Sequence, residues 1–125
     1  METKPKKILI IEDEKPLVRA LDLKLTHEGF IVTILPNGEG LFPLLGTEDF
    51  SLIVCDLVMP KIDGFYILKT MKEKGIKIPV IILTNLGQAE DEKRVRELGA
   101  IEFFVKSDTP LSKIVSYIKD NILSS

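Results

Sequence analysis

Apolar residues in this chain fall in short unbroken runs, separated by longer stretches where they recur every three or four positions. The runs at 7–11, 31–35, 51–55, 79–83 and 101–105 read as strands, and the segments at 14–28, 38–46, 64–74, 88–98 and 110–122 read as helices. The first, third and fourth runs are continuously apolar rather than alternating (Ile8, Leu9, Ile10 and Ile11 in the first). Such runs mark strands covered on both faces, as in a parallel sheet between two helix layers. The first helical segment carries Leu17, Val18, Leu21 and Leu25 along one side, and the last carries Leu111, Ile114, Val115, Ile118 and Ile122, each a stripe of 3.6-residue period. Gly29, Gly75 and Gly99 fall between a helix and the next strand, where a left-handed cap is needed. Thr109-Pro110 predicts an N-cap followed by proline at the first helical position.

The segment 88–98 differs from the others. It is mostly charge, with Ala89, Val95 and Leu98 as its apolar anchors, so it is predicted to dock weakly and move readily. The alternation as a whole predicts an α/β fold: a doubly wound, five-stranded parallel sheet with helices on both faces. In such a fold the site lies outside the C-terminal ends of the strands. With no linker, repeat or low-complexity stretch, one domain over 1–125 is expected, with a flexible N-terminal arm at 1–6.

Composition narrows the function classes. Of 125 residues, 45% are hydrophobic and 29% charged, near the average for a soluble globular domain. A net charge of -2 argues against direct nucleic-acid binding, and Lys4, Lys6 and Lys7 make only a short solvated arm. One cysteine and one histidine exclude an internal disulfide and a zinc site. Cys55 lies inside a strand run and reads as a small core residue. No apolar stretch approaches the ~18 residues of a membrane span and no signal peptide is visible, so the expectation is cytoplasmic, with no membrane partner.

The chemistry sits at the polar ends of the strand runs. Glu12-Asp13 follows the first, Asp56 the third, Thr84 the fourth and Lys106 the fifth. A buried carboxylate is costly, so Asp56 is expected at a loop mouth just past its strand. If the strands are parallel, three acids, a hydroxyl and an amine converge there. Acids at a helix N-terminus serve as ordinary caps, but Glu12, Asp13 and Glu14 in succession repel one another unless something positive is near. Together with Asp56 they offer hard oxygen ligands of the kind Mg²⁺ takes. Asp56 then reads either as a metal ligand alone or as a nucleophile toward a phosphoryl group. Lys106 would place a point charge, and Thr84 a hydrogen bond, on the phosphoryl oxygens.

Glu12-Asp13, Asp56 with Met59-Pro60 and Asp63-Gly64 behind it, Thr84 and Lys106 together resemble the receiver domain of two-component response regulators, in its single-domain, chemotaxis-regulator-like form. The resemblance covers essentially the whole chain. It implies a flavodoxin-like strand order 2-1-3-4-5 and phosphorylation of Asp56 by a sensor histidine kinase or phosphotransfer protein. It implies Mg²⁺ or Mn²⁺ held by Glu12, Asp13, Asp56 and the backbone carbonyl of Val58. Thr84 and Lys106 would be the catalytic contacts to the phosphoryl group. Phe103 matches the family's aromatic switch residue, coupled to Thr84 and through it to the surface of the fourth helix, last strand and last helix. The output would be an unknown partner protein or a phosphorylation-dependent homodimer. The domain would act on no external metabolite and would promote only its own aspartyl phosphorylation and dephosphorylation.

Several positions depart from the family pattern. Lys106 is followed by Ser107-Asp108 instead of proline, and a cis bond before serine costs about 3 kcal/mol. Either a trans bond with a reshaped loop or a cis bond held by its surroundings is expected. Asn85 stands where the family keeps a very small residue and is expected to narrow phosphoryl access. Val58 and Leu86, which lie where the family positions water, are apolar and predict a long-lived phosphorylated state. Three rival readings compete with this one. A flavodoxin-like cofactor module needs a glycine- and hydroxyl-rich first loop, and Gly38-Glu39-Gly40 follows the wrong strand and lacks a third glycine. An aspartyl-phosphate phosphatase keeps a second acid where this chain has Val58. A pseudo-receiver that binds partners without phosphorylation is the remaining alternative, because of the loop after Lys106.

Overall fold

The computed structural model describes residues 4–123. Five strands form one parallel sheet, as the sequence pattern predicts, in the order β2-β1-β3-β4-β5 that the family resemblance implies. They are β1 (Lys7–Ile11), β2 (Ile31–Leu35), β3 (Leu52–Cys55), β4 (Val80–Thr84) and β5 (Glu102–Val105). Between them run α1 (Lys15–His27), α2 (Leu41–Leu45), α3 (Gly64–Lys74) and α4 (Ala89–Glu97), and α5 (Leu111–Ile118) follows β5. A 3-10 turn, Lys106–Asp108, joins β5 to α5, and a π-helical turn, Lys119–Leu123, follows α5.

The sheet divides the interior in two. Leu9, Ile11, Ile53, Cys55, Ile82 and Phe103 face one way, against Leu41 of α2, Ile67 and Met71 of α3 and Val95 of α4. Ile8, Ile10, Val54, Ile81, Leu83 and Phe104 face the other, against Leu21 and Leu25 of α1 and Ile114, Val115 and Ile118 of α5. Side chains alternate across a strand, so a continuously apolar run feeds both cores. Full burial of each such residue stabilises by about 1.5–3 kcal/mol.

Several element ends, and one predicted anchor, depart from the sequence reading; α5, for example, gives way to a π-helical turn after Ile118. The second helix is predicted over 38–46 but begins at Leu41, because Gly40 takes a left-handed conformation (φ 79°) and Gly38 packs flat against Ile62 and Ile67. The last helix begins one residue late: Pro110, not Thr109, is the capping residue, with φ -62° and ψ 146°. Its missing N–H is as harmless there as at the first helical position. Ala89 is exposed rather than an anchor, which leaves Val95 buried and Leu98 half-buried on α4. Gly29, Gly75 and Gly99 do take positive φ, at 97°, 71° and 108°. Of the arm expected at 1–6, residues 1–3 lie outside the described residues and Lys4 and Pro5 are exposed. Lys7 is not part of it: it opens β1, pairs with Glu48 and lies 5.1 Å from the Phe50 ring centroid.

Gly64 has a reason of its own. A Cβ there would sit 2.6 Å from the Asp56 carbonyl oxygen and 3.0 Å from the Leu57 Cα. The start of α3 therefore presses on the segment that carries Asp56. Alanine is ordinarily better than glycine inside a helix by ~1 kcal/mol, whereas overpacking costs about 1–3 kcal/mol. Gly64→Ala is expected to lower stability by about 1–2 kcal/mol, read as an earlier urea midpoint. A later midpoint would mean that the loop yields freely.

Candidate functional site

Parallel pairing in register brings the strand ends level. Ile11 pairs with Cys55 and with Leu35, the Glu12 N–H donates to the Leu35 carbonyl, and the Asp56 N–H donates to the Ile11 carbonyl. Glu12 and Asp56 thus emerge side by side, 3% and 5% exposed. One oxygen from each of Glu12, Asp13 and Asp56 lies within 4.8 Å of the others. Three hard oxygen donors at that spacing fit the coordination taste of Mg²⁺ or Mn²⁺.

The positive group that successive acids require is Lys106. Its ammonium lies 2.7 Å from Glu12 Oε1, 2.8 Å from Asp56 Oδ2 and 3.3 Å from Glu14 Oε1. The other Glu12 oxygen accepts from the N–H groups of Asp13 and Glu14, at 3.0 and 3.1 Å. Asp56 Oδ1 accepts from the Val58 N–H at 3.2 Å. Burial alone would lower the lysine pKa, but hydrogen bonds to Asp56 and Glu12 outweigh it and raise Lys106 above the usual lysine range. Burial pushes the Glu12 carboxyl up, and the bonds from Lys106 and the Glu14 N–H offset this only in part. Burial likewise raises the Cys55 thiol, with the charge of Asp56 adding to it, so this cysteine is a core residue and no nucleophile at neutral pH.

Thr84 is the last residue of β4 and fully buried. Its hydroxyl oxygen accepts from the Leu86 N–H at 3.3 Å, which leaves the O–H proton for donation. Phe103 pairs with Ile82, and Val105 with Thr84. Thr84 and Phe103 therefore lie diagonally on the same face of the sheet, and Phe103 is buried. Around the mouth, Val58 and Leu86 are exposed apolar residues and Asn85 is exposed. The Lys106–Ser107 bond is trans, since no cis peptide occurs among the described residues. The loop instead turns as a 3-10 segment.

Two contributors escape sequence reading. Glu14 is legible as a third acid but not as a partner of Lys106, because spacing does not say which acids a lysine from a distant strand will reach. Arg94 stacks its guanidinium 4.1 Å from the Phe65 ring centroid. With the Lys72 bond to the Glu97 carbonyl and the Arg96 bonds to Glu102 and the Ile101 carbonyl, this stack ties the sparsely anchored α4 to α3 and β5.

Comparison with known proteins agrees with this geometry. The family model for the response regulator receiver domain matches residues 8–119. The transcriptional regulatory protein CusR of Escherichia coli K12 is 36% identical over 100 residues, which is 80% of this chain and 44% of that protein. The chain spans less than half the length of such curated relatives. The phosphorylated cyanobacterial phytochrome response regulator RcpA superposes with a TM-score of 0.84 at 27% identity, covering 97% of this chain and 96% of that one. The Mn²⁺-bound form of response regulator Rcp1 gives 0.83 at 28%, with coverage of 97% and 96%. No helix among the described residues is long and apolar enough to cross a membrane.

Proposed function

Because this chain belongs to the response regulator receiver domain family, we propose that Asp56 is its phosphoacceptor, loaded by a histidine kinase or phosphotransfer protein. The observation that carries this reading is the meeting of Asp56 with Glu12, Asp13 and Lys106 at three level strand ends. Glu12, Asp13 and Asp56 would hold Mg²⁺ or Mn²⁺, with the Val58 carbonyl as a further ligand. A bound divalent ion supplies charge neutralisation for a dianionic phosphoryl group. An Asp56 carboxylate oxygen attacks phosphorus, the bond to the donor nitrogen breaks, and that nitrogen leaves with the electron pair and takes up a proton. Lys106 then donates to a phosphoryl oxygen, and Thr84 turns its O–H toward another. Phe103, diagonal to Thr84, repacks in response and shifts α4 and β5. RcpA and Rcp1 lend support, one being described as phosphorylated and the other as Mn²⁺-bound.

The domain works as a signalling switch whose target is a partner protein or a second copy. The names of its relatives point to control of transcription, and the 125 residues here correspond to a receiver. Intact mass after incubation with Mg²⁺ and acetyl phosphate tests the reading. One added phosphoryl mass, abolished by EDTA, is expected. No addition under conditions where Mg²⁺ binds would favour a pseudo-receiver that works by binding alone.

The lifetime of the loaded state follows from the exposed apolar rim. Neither Val58 nor Leu86 can orient a water molecule against the phosphoryl group. Val58→Asn with Leu86→Glu is expected to speed phosphoryl loss by roughly a hundredfold, the low end of the range for a positioned acid or base. Decay of the phosphorylated mass with time checks this, and an unchanged rate would count against it.

A further inference from the structure

The ammonium of Lys106 has three N–H donors and three carboxylate partners: Glu12 at 2.7 Å, Asp56 at 2.8 Å and Glu14 at 3.3 Å. It donates a hydrogen bond to Asp56 and is ion-paired with Glu12 and Glu14 before any ligand arrives. A phosphoryl group on Asp56 takes over the Asp56 contact and presents further oxygens to Lys106, for which the remaining carboxylates compete. Glu12 is nearly inaccessible and takes two backbone N–H bonds on its other oxygen. Asp56 is buried as well and held by the Val58 N–H. The Glu14 carboxylate makes the longest contact, is 51% exposed and lies outside the converging trio of Glu12, Asp13 and Asp56. It alone can leave the lysine and be rehydrated at small cost.

We propose that Glu14 is a displaceable counter-ion that occupies Lys106 in the resting site and weakens its hold on an incoming phosphoryl group. Glu14 is a positioning residue: it touches Lys106 and not the phosphoryl group. The proposal rests on the phosphoacceptor reading of Asp56 and adds to it a residue that sets how readily the site is occupied.

Two variants separate contact from charge. Glu14→Gln removes the charge. Glu14→Asp keeps the charge but draws the carboxylate back by one methylene, out of reach of Lys106. Aspartate is also a favoured residue at the N-cap position that Glu14 occupies, so α1 remains formed. Beryllofluoride, which mimics an aspartyl phosphate, is titrated at saturating Mg²⁺, and Mg²⁺ binding is measured alone. The ¹⁵N signal of the Lys106 ammonium is followed in ligand-free protein.

Both variants are expected to bind beryllofluoride roughly two- to fivefold tighter, the scale of one half-exposed ion pair. Mg²⁺ affinity should hold in Glu14→Asp, and the Lys106 ammonium signal should shift in both variants. Tighter binding in Glu14→Gln alone, with Glu14→Asp behaving as wild type, would overturn the proposal in favour of a through-space charge effect. Unchanged or weaker binding in both would overturn it too. Failure of wild type to bind beryllofluoride would instead bring down the phosphoacceptor reading itself.

Discussion

Asp56→Asn takes up no phosphoryl group from acetyl phosphate or from a phosphorylated kinase, and it folds at least as stably as wild type. The first result follows from the loss of the nucleophilic carboxylate at the only buried aspartate of the mouth. The second follows from the local charge balance. Glu12, Asp13, Glu14 and Asp56 are four carboxylates facing one ammonium, Lys106, which leaves the mouth three charges negative. Asparagine removes one of the mutually repelling charges, and its one side-chain oxygen can accept from either the Val58 N–H or Lys106, which bond to different oxygens of Asp56. Intact mass reads the first result and a urea midpoint the second. Phosphoryl uptake by the variant would move the acceptor elsewhere. A drop in stability above about 1 kcal/mol would mean that the Lys106–Asp56 pair outweighs the repulsion around it.

Lys106→Met is expected to have the opposite effect on stability, and a large one. Methionine fills the volume of the lysine stem but leaves Glu12 and Asp56 buried without their cation. Removing one partner of a buried ion pair costs about 3–5 kcal/mol, because the remaining charge keeps its desolvation penalty. Urea unfolding at neutral pH measures the loss, and less than about 1 kcal/mol would mean that the acids are effectively solvated. Mg²⁺ should restore part of the loss, since a ligand that binds only the folded state stabilises it.

The pH dependence has a definite sign. Lys106 holds its proton more tightly in the fold than in the unfolded chain. The stability it contributes is full below the ordinary lysine pKa and is lost as pH rises through the raised folded value. Wild type should therefore weaken along an alkaline limb that Lys106→Met lacks.

The parts of this molecule that were legible in the sequence are those set by local pattern. Ile8 to Ile11 announce a doubly covered strand because nothing polar interrupts them. Gly29, Gly75 and Gly99 mark helix ends because few other residues tolerate the left-handed region. Glu12-Asp13, Asp56, Thr84 and Lys106 were legible as a set because each closes its own apolar run, and parallel pairing brings such ends together. What stayed hidden depends on distances between elements. The trans Lys106–Ser107 bond and its 3-10 turn, the reach of Lys106 to Glu14 and the stack of Arg94 on Phe65 are fixed by how finished elements sit against one another. The late start of α2 was half legible: its two glycines are visible, but the packing of Gly38 on Ile62 and Ile67 is not.

The division of the interior has a consequence for how a message would spread. Thr84 and Phe103 lie on the face that α2, α3 and α4 cover, and α4 is fastened there by one buried valine and several solvent-facing polar ties. The face under α1 and α5 is closed by a separate apolar seam, including Phe104 edge-on to Tyr117 at 5.6 Å. A disturbance beginning at Thr84 has a side-chain route to α4 but must cross the sheet to reach α1 or α5. On the switch reading proposed above, the side under α4 would change with the phosphoryl state, and the side under α1 and α5 would feel it only through β5. A visitor that must tell the states apart is best served by the first, and one that must recognise the protein in every state by the second.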